Sequence, residues 1–96
     1  MPSVELAHAA VEDLDDLIRT HSLPGDTRTR VARSLRSLGE FPQMGSELSG
    51  RWSGMRFVLG PWRWMLHVYV VLEEEDRVVA VTIQDARSAH APTSAR

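Results

Sequence analysis

Between Arg63 and Tyr69, three side chains able to do chemistry alternate with apolar ones: Arg63, His67 and Tyr69 at odd positions, Trp64, Leu66 and Val68 at even positions. In an extended strand successive side chains leave on opposite faces. The odd set, with Met65, is therefore expected on an exposed face, and the even set, continued by Val70 and Leu72, in a core. The preceding arm repeats the division, with Met55, Phe57 and Leu59 apolar and Arg56 directed the other way. Two arginines on one sheet face suit a small anionic target, because the planar guanidinium meets a phosphate or carboxylate with two parallel hydrogen bonds.

The two arms must be held as a hairpin, and Gly60-Pro61 supplies the turn. Upstream, Ser3 to Ala7 alternates as a short strand. From Ala9 to about His21 the apolar residues Ala10, Val11, Leu14, Leu17 and Ile18 recur at helical spacing, with Glu12, Asp13, Asp15 and Asp16 on the remaining face. Leu23-Pro24-Gly25-Asp26 is a break, after which Asp26 or Thr27 can cap a second helix that runs to Leu38 and stops at Gly39. Residues 40–54 read as a loop anchored by Phe41, Met44 and Leu48. After the acidic turn Glu73 to Asp76, residues Arg77 to Ala86 form a last strand with Val79, Val81 and Ile83 on one face and Ala80, Thr82 and Gln84 on the other. Asp85 and Arg87 share the parity of the apolar face, so a bulge or the strand's end must release them. The predicted order is β-α-α-β-β-β. It describes an α+β domain over residues 1–87, a small antiparallel sheet with an αα-hairpin packed on one face and the other face open. Residues 88–96 lack periodicity and are expected to be a flexible tail.

Composition narrows the classes. A chain of 96 residues has room for one domain, and 43% hydrophobic with 25% charged residues is ordinary for a globular protein. There is no cysteine, hence no disulfide framework and no thiolate metal site. The acidic N-terminus lacks the basic start and apolar run of a signal peptide, and the run Trp62 to Leu72 is about half of the roughly 20 residues a spanning helix needs. A cytoplasmic protein without membrane contact is expected. The net charge of −2 argues against a general nucleic-acid binder, yet four of the five acids after residue 50 sit together at Glu73 to Asp76 and leave the rest of the sheet locally basic. No two of the four histidines share a convincing ligand spacing with a carboxylate, so no metal is expected.

The order of elements and particular residues resemble the RelE/ParE superfamily, the toxins of bacterial type II toxin–antitoxin systems. The matching features are the alanine-and-acid-rich first helix after a short strand, the loop FPQMGSELSG, the hairpin MRFVLGPWRWMLHVY and the closing QDAR, together covering residues 3–87. The resemblance implies a cognate antitoxin as partner, and one of two targets. RelE-like members cleave messenger RNA on the ribosome by attack of a ribose 2′-OH on the adjacent phosphate, so the resemblance implies neither metal nor cofactor. ParE-like members poison DNA gyrase.

In the first case Arg63 and Arg87 fall at the family's hairpin and closing basic positions and are expected to stabilise charge on the phosphate, with Arg56 beside them. The family's acid/base residue after the last strand has no tyrosine counterpart here; His90 is the titratable candidate, and His67 and Tyr69 could substitute from the sheet face. The missing tail residue favours the gyrase inhibitor, or a catalytically degenerate member kept for binding an antitoxin. An open sheet face is also a candidate contact for a homodimer.

Overall fold

The computed structural model describes residues 2–87; the tail 88–96, and His90 within it, lie outside the described residues. Strand β1 (Ser3–Leu6) passes through Ala7 into helix α1 (His8–Thr20), whose buried residues Ala10 and Leu14 lie one helical turn apart. The helix closes with Ser22 at φ 50° and a Leu23 N–H bond to the Ile18 carbonyl at 3.0 Å, a Schellman-type end built without glycine. Helix α2 (Thr27–Leu35) buries Thr27, Val31 and Leu35, again on one face, and tightens into a 3-10 turn over Arg36–Gly39. The two-residue strand β2 (Ser46–Glu47) follows, then β3 (Arg56–Leu59), β4 (Met65–Leu72) and β5 (Arg77–Asp85).

The sheet order is β1-β5-β4-β3-β2, with β1 parallel to β5 and every other neighbour antiparallel. The α+β class and the helical hairpin are as the sequence leads one to expect. The additional strand β2 and the parallel first pair are not: the pairing of residues 3–6 with 77–80 joins segments too far apart in the chain for local pattern to reveal it. Among the described residues no helix is long and apolar enough to cross a membrane.

The division of the hairpin into an apolar and a chemical face is overturned. Met65 to Tyr69 are all buried, so both faces of β4 are covered, and the helices lie on the odd face, where Met65 and Tyr69 join Leu14, Val31, Leu35 and Leu38 in the core. Each such aliphatic or aromatic side chain contributes about 2 kcal/mol by leaving water. On the other face Leu66 and Val68 are buried as well, and Arg51 and Trp52 of the Gly50–Trp52 turn line a hollow together with Gln84, the cross-strand partner of Leu66. A strand buried on both sides loses the alternation that would report its orientation.

On β5 the register shifts between Val68 and Tyr69, which pair with Thr82 and Ala80 and leave Val81 as a bulge. Val78 and Ala80 before it and Ile83 after it are therefore all buried toward the helices. The expected face of Val79, Val81 and Ile83 is corrected accordingly. Past the end of β1 the free edge of β5 is closed by Asp13 of α1, whose carboxylate accepts the Thr82 hydroxyl and the Ile83 N–H. Phe41 and Met44, expected as anchors, are instead 62% and 55% exposed on the rim of a groove floored by Val71 and Leu72.

Candidate functional site

The sheet places its candidate residues at two distinct locations. At the outer end of the β4–β5 ladder Met65 pairs with Asp85, and the Ala86 N–H donates to the Trp64 carbonyl at 2.6 Å, so the next residues outward on the two strands are Arg63 and Arg87. The hairpin turn is tight, with the Met65 N–H on the Trp62 carbonyl at 2.9 Å and the Gly60 N–H on the Met65 carbonyl at 2.8 Å. Arg63 is exposed on this turn and forms no ion pair among the described residues. Arg87, also exposed, lies over the Trp64 ring with its guanidinium carbon 5.0 Å from the centroid.

Asp85 organises this end. Its Oδ1 accepts the Arg87 backbone N–H and Nε–H, both at 2.9 Å, and its Oδ2 accepts Nη2–H at 2.8 Å. The Arg87 guanidinium thereby holds the Asp85 carboxyl well below the usual carboxylate range, and the pairing raises Arg87 in return. From the end of α1, His21 brings Nε2 to 3.2 Å from Asp85 Oδ2 and stacks on Trp64, ring centroids 4.6 Å apart and planes 15° from parallel. Trp62 packs tilted beside Trp64 at 6.4 Å, and Arg30 of α2 stands over Trp62 at 5.8 Å. The result is a two-tryptophan ledge with basic groups from α2, the hairpin turn and the end of β5, and a histidine tied to a carboxylate.

The other expected site residues lie elsewhere, and the expectation that they share an exposed face with Arg63 is corrected. His67 is 0% exposed, and among the described residues neither ring nitrogen has a hydrogen-bond partner. Burial lowers its pKa to about 4, so the ring is a neutral core residue at physiological pH. It is packed so closely against Gly60 that a Cβ there would come within 2.6 Å of Nε2.

Tyr69 is also fully buried; its hydroxyl accepts the Gly45 N–H at 2.9 Å, and burial pushes its pKa up. Arg56 completes that latch rather than an exposed cluster: its Nη1 donates to the Gly45 carbonyl at 2.8 Å and its Nη2 to Glu47 at 3.1 Å. Tyr69, Gly45 and Arg56 thus pin the loop before β2 to the sheet. Arg77, at the far end, is held by Glu5 and Glu75.

Sequence reasoning thus singled out Arg63 and Arg87, which the fold sets at one end of the ladder, and missed His21 and Trp64 as their company. The signal for them was weak, because His21 closes a helix and lies 64 residues before Asp85 in the chain, so only the tertiary fold brings the two together. Among the described residues no group of three His, Cys, Asp or Glu side chains is arranged to hold a metal ion.

No protein-family model matches the sequence, and no curated protein matches it. Solved structures do match its fold. The toxin–antitoxin complex RelBE2 of Mycobacterium tuberculosis aligns with a TM-score of 0.67 at 20% identity, over 88% of this chain and 99% of that one. The chromosomal ParDE system of P. aeruginosa aligns at 0.70 and 15% identity, over 91% and 98%. The intact RelBE toxin–antitoxin complex of E. coli aligns at 0.64 and 14% identity, over 92% and 100%. At these identities the likeness is one of fold, and it extends over nearly the whole of each matched chain.

Proposed function

We propose that this chain, which carries the fold of the RelE and ParE toxins, is the toxin of a type II toxin–antitoxin pair and cleaves messenger RNA on the ribosome. The observation that carries the choice of activity is the placing of Arg63 and Arg87 at the same end of the β4–β5 ladder, beside an aromatic ledge. Strand cleavage by a 2′-OH builds charge on the non-bridging phosphate oxygens as the new bond forms. Guanidiniums are the groups that charge calls for, and this end of the ladder offers one held in place, Arg87, and one exposed on the turn, Arg63.

Arg87 is pre-set for the task. Asp85 takes its Nε–Nη2 edge and Trp64 fixes its plane, which leaves the Nη1 side to an incoming phosphate. Arg63, on the turn, approaches the same anion from the neighbouring strand. Trp62 and Trp64 offer an apolar edge on which a base can rest. His67, Tyr69 and Arg56 take no part; they hold the core and the loop. The partner that silences the toxin is a cognate antitoxin, as the RelBE and ParDE complexes suggest by analogy, and the place of action is the cytoplasm, where ribosomes are.

The test is primer extension on a defined messenger in a reconstituted translation system, with naked RNA as control. Ribosome-dependent cuts that vanish with Arg63→Ala support the reading. A second reading, a poison of DNA gyrase, is favoured by one observation: Asp85 already neutralises Arg87, which weakens a phosphate clamp. Inhibition of gyrase supercoiling without any RNA cuts would select it.

A further inference from the structure

Cleavage needs a group that moves a proton, and the residues expected to supply it are enclosed in the core or lie outside the described residues. His21 is differently placed. Its side chain is 30% exposed, its ring is held flat on Trp64, and its Nε2 faces the Asp85 carboxylate at 3.2 Å. Its Nδ1 is 3.0 Å from Thr20 Oγ1, and that hydroxyl also reaches the Asp16 carbonyl at 2.9 Å. By contrast His67 is sealed, and His8 sits on the exposed first turn of α1 with only Glu12 for company.

The hydrogen bonds decide which nitrogen can exchange its proton. A carboxylate only accepts, so Nε2 carries a hydrogen in the bond to Asp85, and the exchangeable site is Nδ1. The Thr20 hydroxyl is both donor and acceptor. With Nδ1 bare, the hydroxyl turns its hydrogen to it; with Nδ1 protonated, the hydroxyl accepts from it and donates to the Asp16 carbonyl. Both protonation states of the ring are thus hydrogen-bonded without moving a heavy atom. The other groups facing the ring from the packed elements are Trp64 from the hairpin turn and, beyond Asp85, the Arg87 guanidinium on the same indole.

We propose that His21 is the proton-transfer residue of this site and Asp85 the positioning residue that fixes its tautomer, an assignment that rests on the nuclease reading above. The Thr20 hydroxyl hands its hydrogen to Nδ1 as it takes the proton of the 2′-OH, while that 2′-oxygen bonds to phosphorus. The bond from phosphorus to the 5′-oxygen breaks with its electron pair on that oxygen, which is protonated from water, and His21 returns its proton to solvent. The products are a 2′,3′-cyclic phosphate and a 5′-hydroxyl end.

The experiment compares wild type, His21→Gln, His21→Ala, Asp85→Asn and Arg63→Ala for cleavage in the reconstituted translation system, with thermal melts of each. His21→Gln is expected to cut about 100-fold more slowly, to lose the acid limb of the pH–rate profile, and to melt like the wild type. Added imidazole restores part of the rate to His21→Ala, which a merely structural role would not permit. Asp85→Asn cuts about tenfold more slowly and keeps the limb. If the wild type cuts and both His21 variants cut within threefold of it, the assignment is wrong while the nuclease reading stands. If the wild type makes no cuts with ribosomes, both fall together.

Discussion

His67 makes the stability of this domain depend on pH in a window that can be calculated. The ring is enclosed with both nitrogens unpaired, and burial lowers its pKa from 6.5 to about 4. In the folded state it is therefore neutral down to about pH 4, whereas in the unfolded chain it takes up a proton near pH 6.5. Between those values only the unfolded state binds the proton, so stability is full above the unfolded pKa and falls as the solution is acidified. The loss is about 2 kcal/mol at pH 5 and approaches about 3 kcal/mol below pH 4.

His67→Leu removes the titration and the unpaired donor and acceptor together. An apolar side chain of similar size in that place is expected to stabilise the fold by about 1–3 kcal/mol at pH 7.5. The assay is urea denaturation of both proteins from pH 7.5 to 4.5. Exposed histidines and the carboxylates paired with Arg77 and Arg87 are common to both and cancel in the difference. The stability gap between variant and wild type must widen by about 2 kcal/mol on going to pH 5. A gap that stays constant with pH would refute the reasoning, whatever its size at pH 7.5.

The remaining expectations concern the loop latch, the free edge and the arginine pair. Tyr69→Phe strands the buried Gly45 N–H that the hydroxyl accepts, at a cost of about 1–3 kcal/mol by chemical denaturation. Gly45→Ala costs more, because a Cβ there would come 2.5 Å from the Phe57 carbonyl oxygen and 2.6 Å from the Tyr69 hydroxyl, so backbone must move; hydrogen exchange should quicken in β2 and β3. Asp13→Ala uncovers the Thr82 hydroxyl and Ile83 N–H on the open edge of β5 and should cost about 1 kcal/mol, with faster exchange at Ile83. Arg63→Ala, on an exposed turn, should leave the melt unchanged and lower ribosome-dependent cleavage by about 10²–10³.

How far the sequence could be read depends on where burial is one-sided. α1 and α2 each bury one stripe, and their spacing of apolar residues announced α1 to within a residue and the start of α2, while the end expected at Leu38 gives way after Leu35 to the 3-10 turn Arg36–Gly39. β4 buries both faces, so the alternation of Arg63, His67 and Tyr69 against Leu66 and Val68 carried no orientation. It placed the helix-covered face in solvent. β5 looked regular, yet one extra residue at Val81 switches its parity; the need to release Asp85 was the only local hint of a bulge. Arg63 and Arg87 stand at the same end of the ladder because antiparallel neighbours bring the start of one strand to the end of the next, a relation that follows from topology alone. His21 could not be found that way, since its contact with Asp85 depends on how the end of α1 packs beside the hairpin.

Asp85 also allows affinity and rate to be separated at this site. It lowers the local positive charge while directing both Arg87 and His21, so its removal has opposite effects on the two quantities. With Asp85→Asn the Arg87 guanidinium is no longer neutralised, and binding of naked RNA at low salt should tighten, with a steeper dependence on salt. Without the carboxylate, Arg87 and His21 lose their common anchor, and the rate of cutting on the ribosome should fall. Under the proposed activity the ribosome delivers the substrate, so little phosphate affinity is needed from the protein itself and the arrangement sacrifices nothing that activity uses. If Asp85→Asn instead weakened RNA binding and the rate in the same proportion, Asp85 would merely support the fold of this end. The division of labour between Asp85, Arg87 and His21 would then have to be abandoned.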